Sequence, residues 1–244
     1  NIVDELKRSQ APDLVGICLK ERKVVDLSNQ AILISRYGKE YDIDSSASPI
    51  LSGSGGLLGA VLVFRDVTRL RRLARQMAYD ASHDVLTGLV NRREFERRVE
   101  RALISAKQRD ATHTLCYLDL DQFKIVNDTV GHMAGDELLK QVAHLLSGIF
   151  RQRDTFARLG GDEFGLLLEN CPLDQAVVIA NDVISRLREK LFTWEGKSFQ
   201  INVSIGMVPI SALTQSSAQA LSQADVACYT AKDLGRGRIH IYHL

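Results

Sequence analysis

Two carboxylates follow a pair of glycines in Gly160-Gly161-Asp162-Glu163-Phe164. Glycine reaches positive φ without a Cβ penalty, so Gly160-Gly161 between the apolar runs 155–157 and 164–168 marks a hairpin tip. Bare backbone there admits a phosphate or ribose, and the two acids can attract a hard cation or take a proton. Asp119 and Asp121 close another apolar run, 112–118. Strand alternation sends both to one side and Leu120 to the other. Carboxylates from two neighbouring strands, with a backbone carbonyl beside them, would form a Mg²⁺ site of the type that also holds substrate phosphates. The plainer alternatives are a solubilising turn and two solvated acids at a strand end.

Further polar residues lie close by in sequence: Lys124, Asn127, His132 and Asp136. Lys124 can stabilise phosphate charge. Asn127 and Asp136 make a purine-reading pair, because a carboxylate accepts both N1–H and the exocyclic amine of guanine and adenine has no N1–H to offer. Asp136 could equally cap its helix, and His132 could be an ordinary turn residue. Lys232 and Arg236, four apart, would share a helix face and clamp a polyphosphate; the alternative is cations placed favourably at a helix C-terminus that Gly235 stops.

The elements that must position these residues follow from periodicity. Residues 1–22 read as short helix interrupted by Pro12, and strands are expected at 31–35, 40–44 and 57–65. Three strands alone bury their faces poorly, so residues 1–68 look like an incomplete domain or one completed by a partner chain. A helix over 69–82 carries an apolar stripe of Leu70, Leu73, Met77 and Ala81 with arginines on its other faces. It is either a solvated linker or a short parallel coiled coil joining two chains, and too short to be stable alone. From 83 to 244 the expected order is a turn at 84–89, helix 91–109, strand 112–118, helix 134–150, the hairpin, helix 173–191, strand 199–210, helix 218–234 and strand 239–242. That β-α-β-β-α-β order predicts an α+β fold, a ferredoxin-like antiparallel sheet with helices packed on its faces.

Composition narrows the class. The chain has 244 residues, 45% hydrophobic and 25% charged, with a formal net charge of +1. No dense basic patch with interleaved aromatics occurs, so nucleic acid is not an expected partner. Cys18, Cys116, Cys171 and Cys228 are far apart with no CxxC and read as reduced, buried residues of a cytoplasmic protein. No apolar run approaches the ~20 residues of a membrane span. The first residue is Asn1, so the chain reads as a piece of something longer, with room for a sensory or membrane region before it and an effector domain after it.

Taken together, the motifs from Asp84 to Tyr242 resemble the GGDEF family of diguanylate cyclases: Asp84-Val85-Leu86-Thr87-Gly88-Leu89, Asn91-Arg92-Arg93, Asp119 through Lys124, Asn127-Asp128, Gly131-His132, Gly135-Asp136, Gly160 through Phe164, and Ala224-Asp225 through Lys232 and Arg236. The resemblance implies that two GTP condense to cyclic di-GMP with release of two pyrophosphates. Asp119, the Leu120 carbonyl and Asp162 would hold Mg²⁺, or Mn²⁺ in its place, with Glu163 as a further ligand. Asp162 or Glu163 would help deprotonate the 3′-hydroxyl, and Lys124 would steady transition-state charge. Asn127, His132 and Asp136 would contact substrate, Gly160 and Gly161 would make room for it, and Lys232 and Arg236 would bind its terminal phosphates. Two chains, each holding one GTP, would meet face to face. Where the family often has asparagine after Arg236, this chain has Gly237. A GGDEF module that binds GTP or product without turnover is the alternative.

A product-binding site is also implied. Arg151-Gln152-Arg153-Asp154 is an RxxD separated from Gly160 by five residues, and arginine can donate twice to guanine O6 and N7. Its plainer reading is an ion pair at a helix end. Relatives often complete this site with an arginine in an Ala-Glu-Arg run, which here reads Ala180-Asn181-Asp182, leaving Arg186 as a substitute. Arg158 and Leu159 read as spacer. Before the linker helix, Tyr41-Asp42-Ile43-Asp44, Ser48-Pro49-Ile50 and Gly59 through Thr68 resemble the C-terminal half of a PAS domain, which implies signal input through residues 1–68 and dimerisation through that region and the helix.

Overall fold

The computed structural model describes residues 2–4 and 8–243, which divide into two compact units, 1–79 and 80–244. In the first, β1 (Ile2–Asp4), α1 (Leu14–Glu21), β2 (Val25–Ile34), β3 (Glu40–Leu51) and β4 (Leu57–Asp66) precede α2 (Thr68–Asp80). The strands form one antiparallel sheet in sequence order. This unit departs from the sequence-based expectation in three ways. Residues 2–4 are strand rather than helix, pairing with Ala31–Leu33 of β2, and helix begins only after Pro12, where the Asp13 carboxylate caps the Gly16 N–H. The sheet therefore has four strands. Strand β3 also runs on past Asp44 through Pro49, which is tolerated because β2 has stopped pairing at Ala47 and Pro49 faces only Ala60 of β4. Helix α1 packs Leu14 and Cys18 against Ala47, covering part of one face.

Helix α2 is fixed at its start. The Asp42 N–H donates to Thr68 Oγ1 at 2.9 Å, the Thr68 N–H donates to Asp66 Oδ1 at 2.9 Å, and Arg71 pairs with Asp44 at 2.8 Å. Its stripe of Leu70, Leu73 and Met77 is exposed, and Ala81 falls beyond the helix end. No helix among the described residues is long and apolar enough to cross a membrane.

The second unit runs β5 (Val90–Asn91), α3 (Arg92–Arg109), β6 (His113–Asp121), α4 (Phe123–Val130), α5 (His132–Ser147), β7 (Thr155–Gly160), β8 (Glu163–Leu168), α6 (Leu173–Glu189), β9 (Leu191–Trp194), β10 (Lys197–Gln200), β11 (Asn202–Ile210), α7 (Ser217–Asp233) and β12 (Ile239–Ile241). Six strands make one sheet in the order β12-β11-β6-β8-β7-β5. The central four are antiparallel in the ferredoxin-like arrangement, and β12 and β5 add parallel edges. Helices α5 and α6 cover one face, with Cys116, Leu118 and Leu120 of β6 beneath them; α3 and α7 cover the other, over Leu115 and Tyr117. The expected strand 199–210 is two strands. Residues 197–200 fold back on 191–194 through Glu195 and Gly196, both at positive φ, a two-residue hairpin turn. The expected helix 173–191 accordingly stops at Glu189. Helix α5 starts two residues earlier than expected and ends before Gly148, and α4 was not anticipated.

Candidate active site at the β7–β8 hairpin tip

Strand β6 delivers Asp119 to the hairpin. Asp119 stands in register with Glu163 of β8, and the Leu120 N–H donates to the Asp162 carbonyl at 3.2 Å. The N–H and C=O of one strand residue point to the same edge, so the Leu120 carbonyl is directed toward the tip as well. At the tip Gly160 has φ +150° and Gly161 φ +51°, and a Cβ added at either would meet no atom within 4 Å. The backbone here is bare and unobstructed, as a nucleotide needs.

Asp119 is buried, and burial is the main reason its carboxyl is pushed up to about 6; the charges of Asp162 and Glu163 add to this, while Lys232 opposes it. Lys232 Nζ lies 2.6 Å from Asp119 Oδ2. Burial pulls the Lys232 ammonium down, but the hydrogen bond and charge of Asp119 outweigh it and the net shift is upward. Asp121, on the same side of the strand, is committed elsewhere. It accepts from Ser204 Oγ at 2.7 Å and from the Gly237 N–H at 2.9 Å, tying the loop after α7 to the central strand. Gly237 sits at φ +57°, a conformation that glycine and asparagine tolerate best, which accounts for the exchange noted in the sequence.

The donor set fits a hard divalent cation in kind: carboxylate oxygens on adjacent strands and a carbonyl beside them. Among the described residues, however, no three carboxylate, imidazole or thiol groups converge as a ready-made cluster.

Lys124 is exposed in the first turn of α4, and Asn127 lies one turn on. The Asn127 side chain rests over Gly135, where an added Cβ would come within 2.0 Å of its Oδ1, and that oxygen is buried with no hydrogen-bond partner. An orphaned buried carbonyl is costly, and a ligand N–H or amine would satisfy it. His132 and Asp136 are exposed in the first turns of α5. The capping alternative for Asp136 fails: the N-cap is Gly131, with no side-chain cap bond. The shared face expected for Lys232 and Arg236 also fails. Helix α7 ends at Asp233, and Arg236 lies in the following turn at φ +61°, its N–H bonded to the Ala231 carbonyl.

Arg158 is not spacer. Its Nε and Nη2 donate to the Gly161 carbonyl at 3.1 and 2.9 Å, and its Nη1 reaches both Asp84 oxygens at 3.1 and 3.2 Å. Asp84 also accepts from the Thr87 N–H and hydroxyl. Burial pushes its carboxyl up, but these donors outweigh it and hold it low. From the N-terminus of α3, Arg92 donates to the Leu159 carbonyl at 2.9 Å and pairs with Glu163 at 3.2 Å. Leu159 itself is buried in the α3 and α7 core. The Tyr117 hydroxyl is pushed up by burial and by its hydrogen bond to Glu163. In the sequence Asp84 and Arg92 are legible only as motif letters, Arg158 reads as spacer and Tyr117 as part of an apolar strand, since partners such as Asp84 and Arg158 stand 74 residues apart.

At the far end of β7, the Asp154 carboxylate accepts from the Arg151 N–H at 3.0 Å and the Glu169 N–H at 3.3 Å. It braces backbone and forms no ion pair with the exposed Arg151 guanidinium, and α5 has already ended at Ser147. Arg186, the substitute for the missing arginine, pairs with Asp182 at 2.8 Å on the exposed face of α6. Arg98, Arg101 and Arg153 instead line a groove with Thr155 and Glu169 next to the RxxD.

Residues 81–238 match the family model described as "Diguanylate cyclase, GGDEF domain". A probable diguanylate cyclase of Escherichia coli (strain K12), DgcE, is 42% identical over 216 residues, 88% of this chain and 20% of that protein. The cyclic di-GMP phosphodiesterase PdeB of Shewanella oneidensis is 33% identical over 200 residues, 82% of this chain and 23% of that protein. The chain thus spans about a fifth of the length of these curated relatives. The match to DgcE is longer than the family region, so it extends into the N-terminal unit. The crystal structure of the coiled coil and GGDEF domain of DgcB from Caulobacter crescentus in complex with c-di-GMP is 29% identical, with a TM-score of 0.67, covering 72% of this chain and 93% of that one. Fold, motif order and family match agree, and the chain belongs to the GGDEF family of diguanylate cyclase domains.

Proposed function

We propose that this chain is a diguanylate cyclase that condenses two GTP into cyclic di-GMP in the cytoplasm. The observation that carries the reading is the open Gly160-Gly161 tip next to the register pair Asp119 and Glu163, with Lys232 beside Asp119. Asp119, the Leu120 carbonyl and Asp162 would hold Mg²⁺ or Mn²⁺, with Glu163 as a further ligand. When bound, the ion would neutralise phosphate charge and ease ionisation of the 3′-hydroxyl. Asp162 or Glu163 takes that proton, and Lys124 offsets charge developing on the α-phosphate as pyrophosphate leaves. Asn127, with its unpartnered buried oxygen, and Asp136, free of any capping role, read guanine, with His132 nearby. Lys232 and Arg236 take the terminal phosphates. Each nucleotide's hydroxyl attacks the other's α-phosphate, so two chains must face each other, and the exposed stripe of α2 and the PAS-like N-terminal sheet are the elements that would pair them and receive a signal.

The test is incubation of the folded chain with GTP and Mg²⁺, following pyrophosphate and cyclic di-GMP. Both should appear in a ratio of two to one by the stoichiometry. If GTP binds and neither product forms, the second reading stands, a nucleotide-binding regulatory module, for which the likeness to a phosphodiesterase is the supporting observation.

Arg151 and Asp154 are proposed to bind product, with Arg153, Arg98 and Arg101 supplying the positive groove beside them. Arg151→Ala should raise the product concentration that halves the rate by tenfold or more, roughly what losing one bidentate guanine contact costs. Unchanged inhibition would remove the assignment.

A further inference from the structure

Lys232 and Asp119 form a close ion pair at the point where a metal would be expected. The contact is 2.6 Å, with 30% of the lysine side chain and 11% of the aspartate side chain exposed. Lys232 lies in the last turn of α7, and α7 is seated directly on β11. Of the other carboxylates nearby, Asp121 is engaged by Ser204 and Gly237 and Glu163 by Arg92, while Asp162 adds its negative charge beside the pair. Among the described residues Lys232 is the one cation paired with Asp119. A carboxylate this buried needs a counter-charge, and stripping one from it leaves an uncompensated charge.

We propose that Lys232 is a placeholder cation, neutralising Asp119 in the metal-free chain and leaving it for the triphosphate when a divalent ion takes its position. The inference rests on Asp119 being a metal ligand. Its consequence is that bare metal and Lys232 compete for one carboxylate, whereas metal and triphosphate assist each other, because the triphosphate gives the displaced ammonium a new partner. A lysine that serves only as a phosphate ligand carries no such competition.

The test measures Mn²⁺ binding without nucleotide, from the free-ion electron paramagnetic resonance signal at pH 8, in the wild-type chain, Lys232→Met, Arg236→Met and Asp119→Asn. Affinity for a GTP analogue that cannot release pyrophosphate is measured alongside. Lys232→Met should bind bare Mn²⁺ roughly fivefold or more tightly than wild type while binding the analogue more weakly. Arg236→Met should weaken only the analogue. The gain should persist at about 1 M salt, where charges beyond ~3 Å are screened. Equal Mn²⁺ affinity in wild type and Lys232→Met overturns the proposal, as does a gain that vanishes at high salt, since that would be a through-space charge effect. Lys232→Gln repeats the comparison should the methionine variant misfold. If neither wild type nor Lys232→Met binds Mn²⁺, or Asp119→Asn binds it as well as wild type, the metal reading of Asp119 falls and the placeholder falls with it.

Discussion

At the residue scale the molecule separates acids that are held ionised from one that is held back. Glu94, buried at the start of α3, accepts from Arg97 at 2.7 and 2.9 Å, from Arg98 at 2.9 Å and from Arg101 at 3.5 Å. The Arg97 hydrogen bonds are the chief reason its carboxyl falls to about 2, against burial that works the other way. A folded value below the unfolded one gives stability that is complete above about 4.5 and lost as pH falls toward 2. Glu94→Gln should therefore lower stability at pH 7 by about 1–2 kcal/mol, a modest figure because its arginine partners are largely solvated. The difference in melting temperature from wild type should narrow as pH falls below 4.5; a difference independent of pH would mean that packing, not charge, explains the loss. Asp119, by contrast, is pushed up by its buried place at the hairpin tip.

At the element scale the decisive contact is between β11 and α7. A Cβ on Gly206 would come within 2.0 Å of the Ala224 carbonyl and 2.2 Å of the Cys228 nitrogen, both backbone atoms that cannot rotate away. The helix meets the sheet through Ala220, Ala224, Ala227, Cys228 and Ala231, all buried. Gly206→Ala should lift α7, destabilise the unit by about 1–3 kcal/mol, and separate Lys232 from Asp119. A melting curve and metal titration would detect both, and a wild-type melting temperature would contradict the close fit. Elements of this kind explain what the sequence could and could not disclose. Gly160-Gly161 and the alternation of Asp119, Leu120 and Asp121 are local signals, fixed by backbone stereochemistry within a few residues. The Arg158–Asp84 pair and the partners of Asp121 arise only once distant strands are stacked. Strand β1 is hidden in the sequence because three residues carry no period, and β9–β10 because Phe199 and Ile201 read on into β11 with strand alternation. Four-residue spacing alone puts Arg236 on the face of Lys232, but Gly235 between them ends the helix and the chain turns away there.

At the scale of the whole molecule, each chain offers one hairpin tip, yet the proposed product contains two nucleotides. The rate per chain should therefore fall on dilution, by up to about tenfold for a tenfold dilution once the paired form is no longer saturated. A rate per chain that stays flat over that range would argue against the two-chain scheme. The same connectivity governs how the molecule comes into being. The N-terminal sheet pairs strands that follow one another in sequence. The central strand β6 waits instead for partners far downstream: Asp121 is joined to Ser204 across 83 residues and to Gly237 across 116. Chains emerge from the ribosome N-terminus first, and pairings between distant segments close slowly. The first unit can thus be complete while Asp119 still lacks the helix that brings Lys232. During synthesis Asp119 is among the earlier residues of its unit to be made, and the ammonium that neutralises it is among the last.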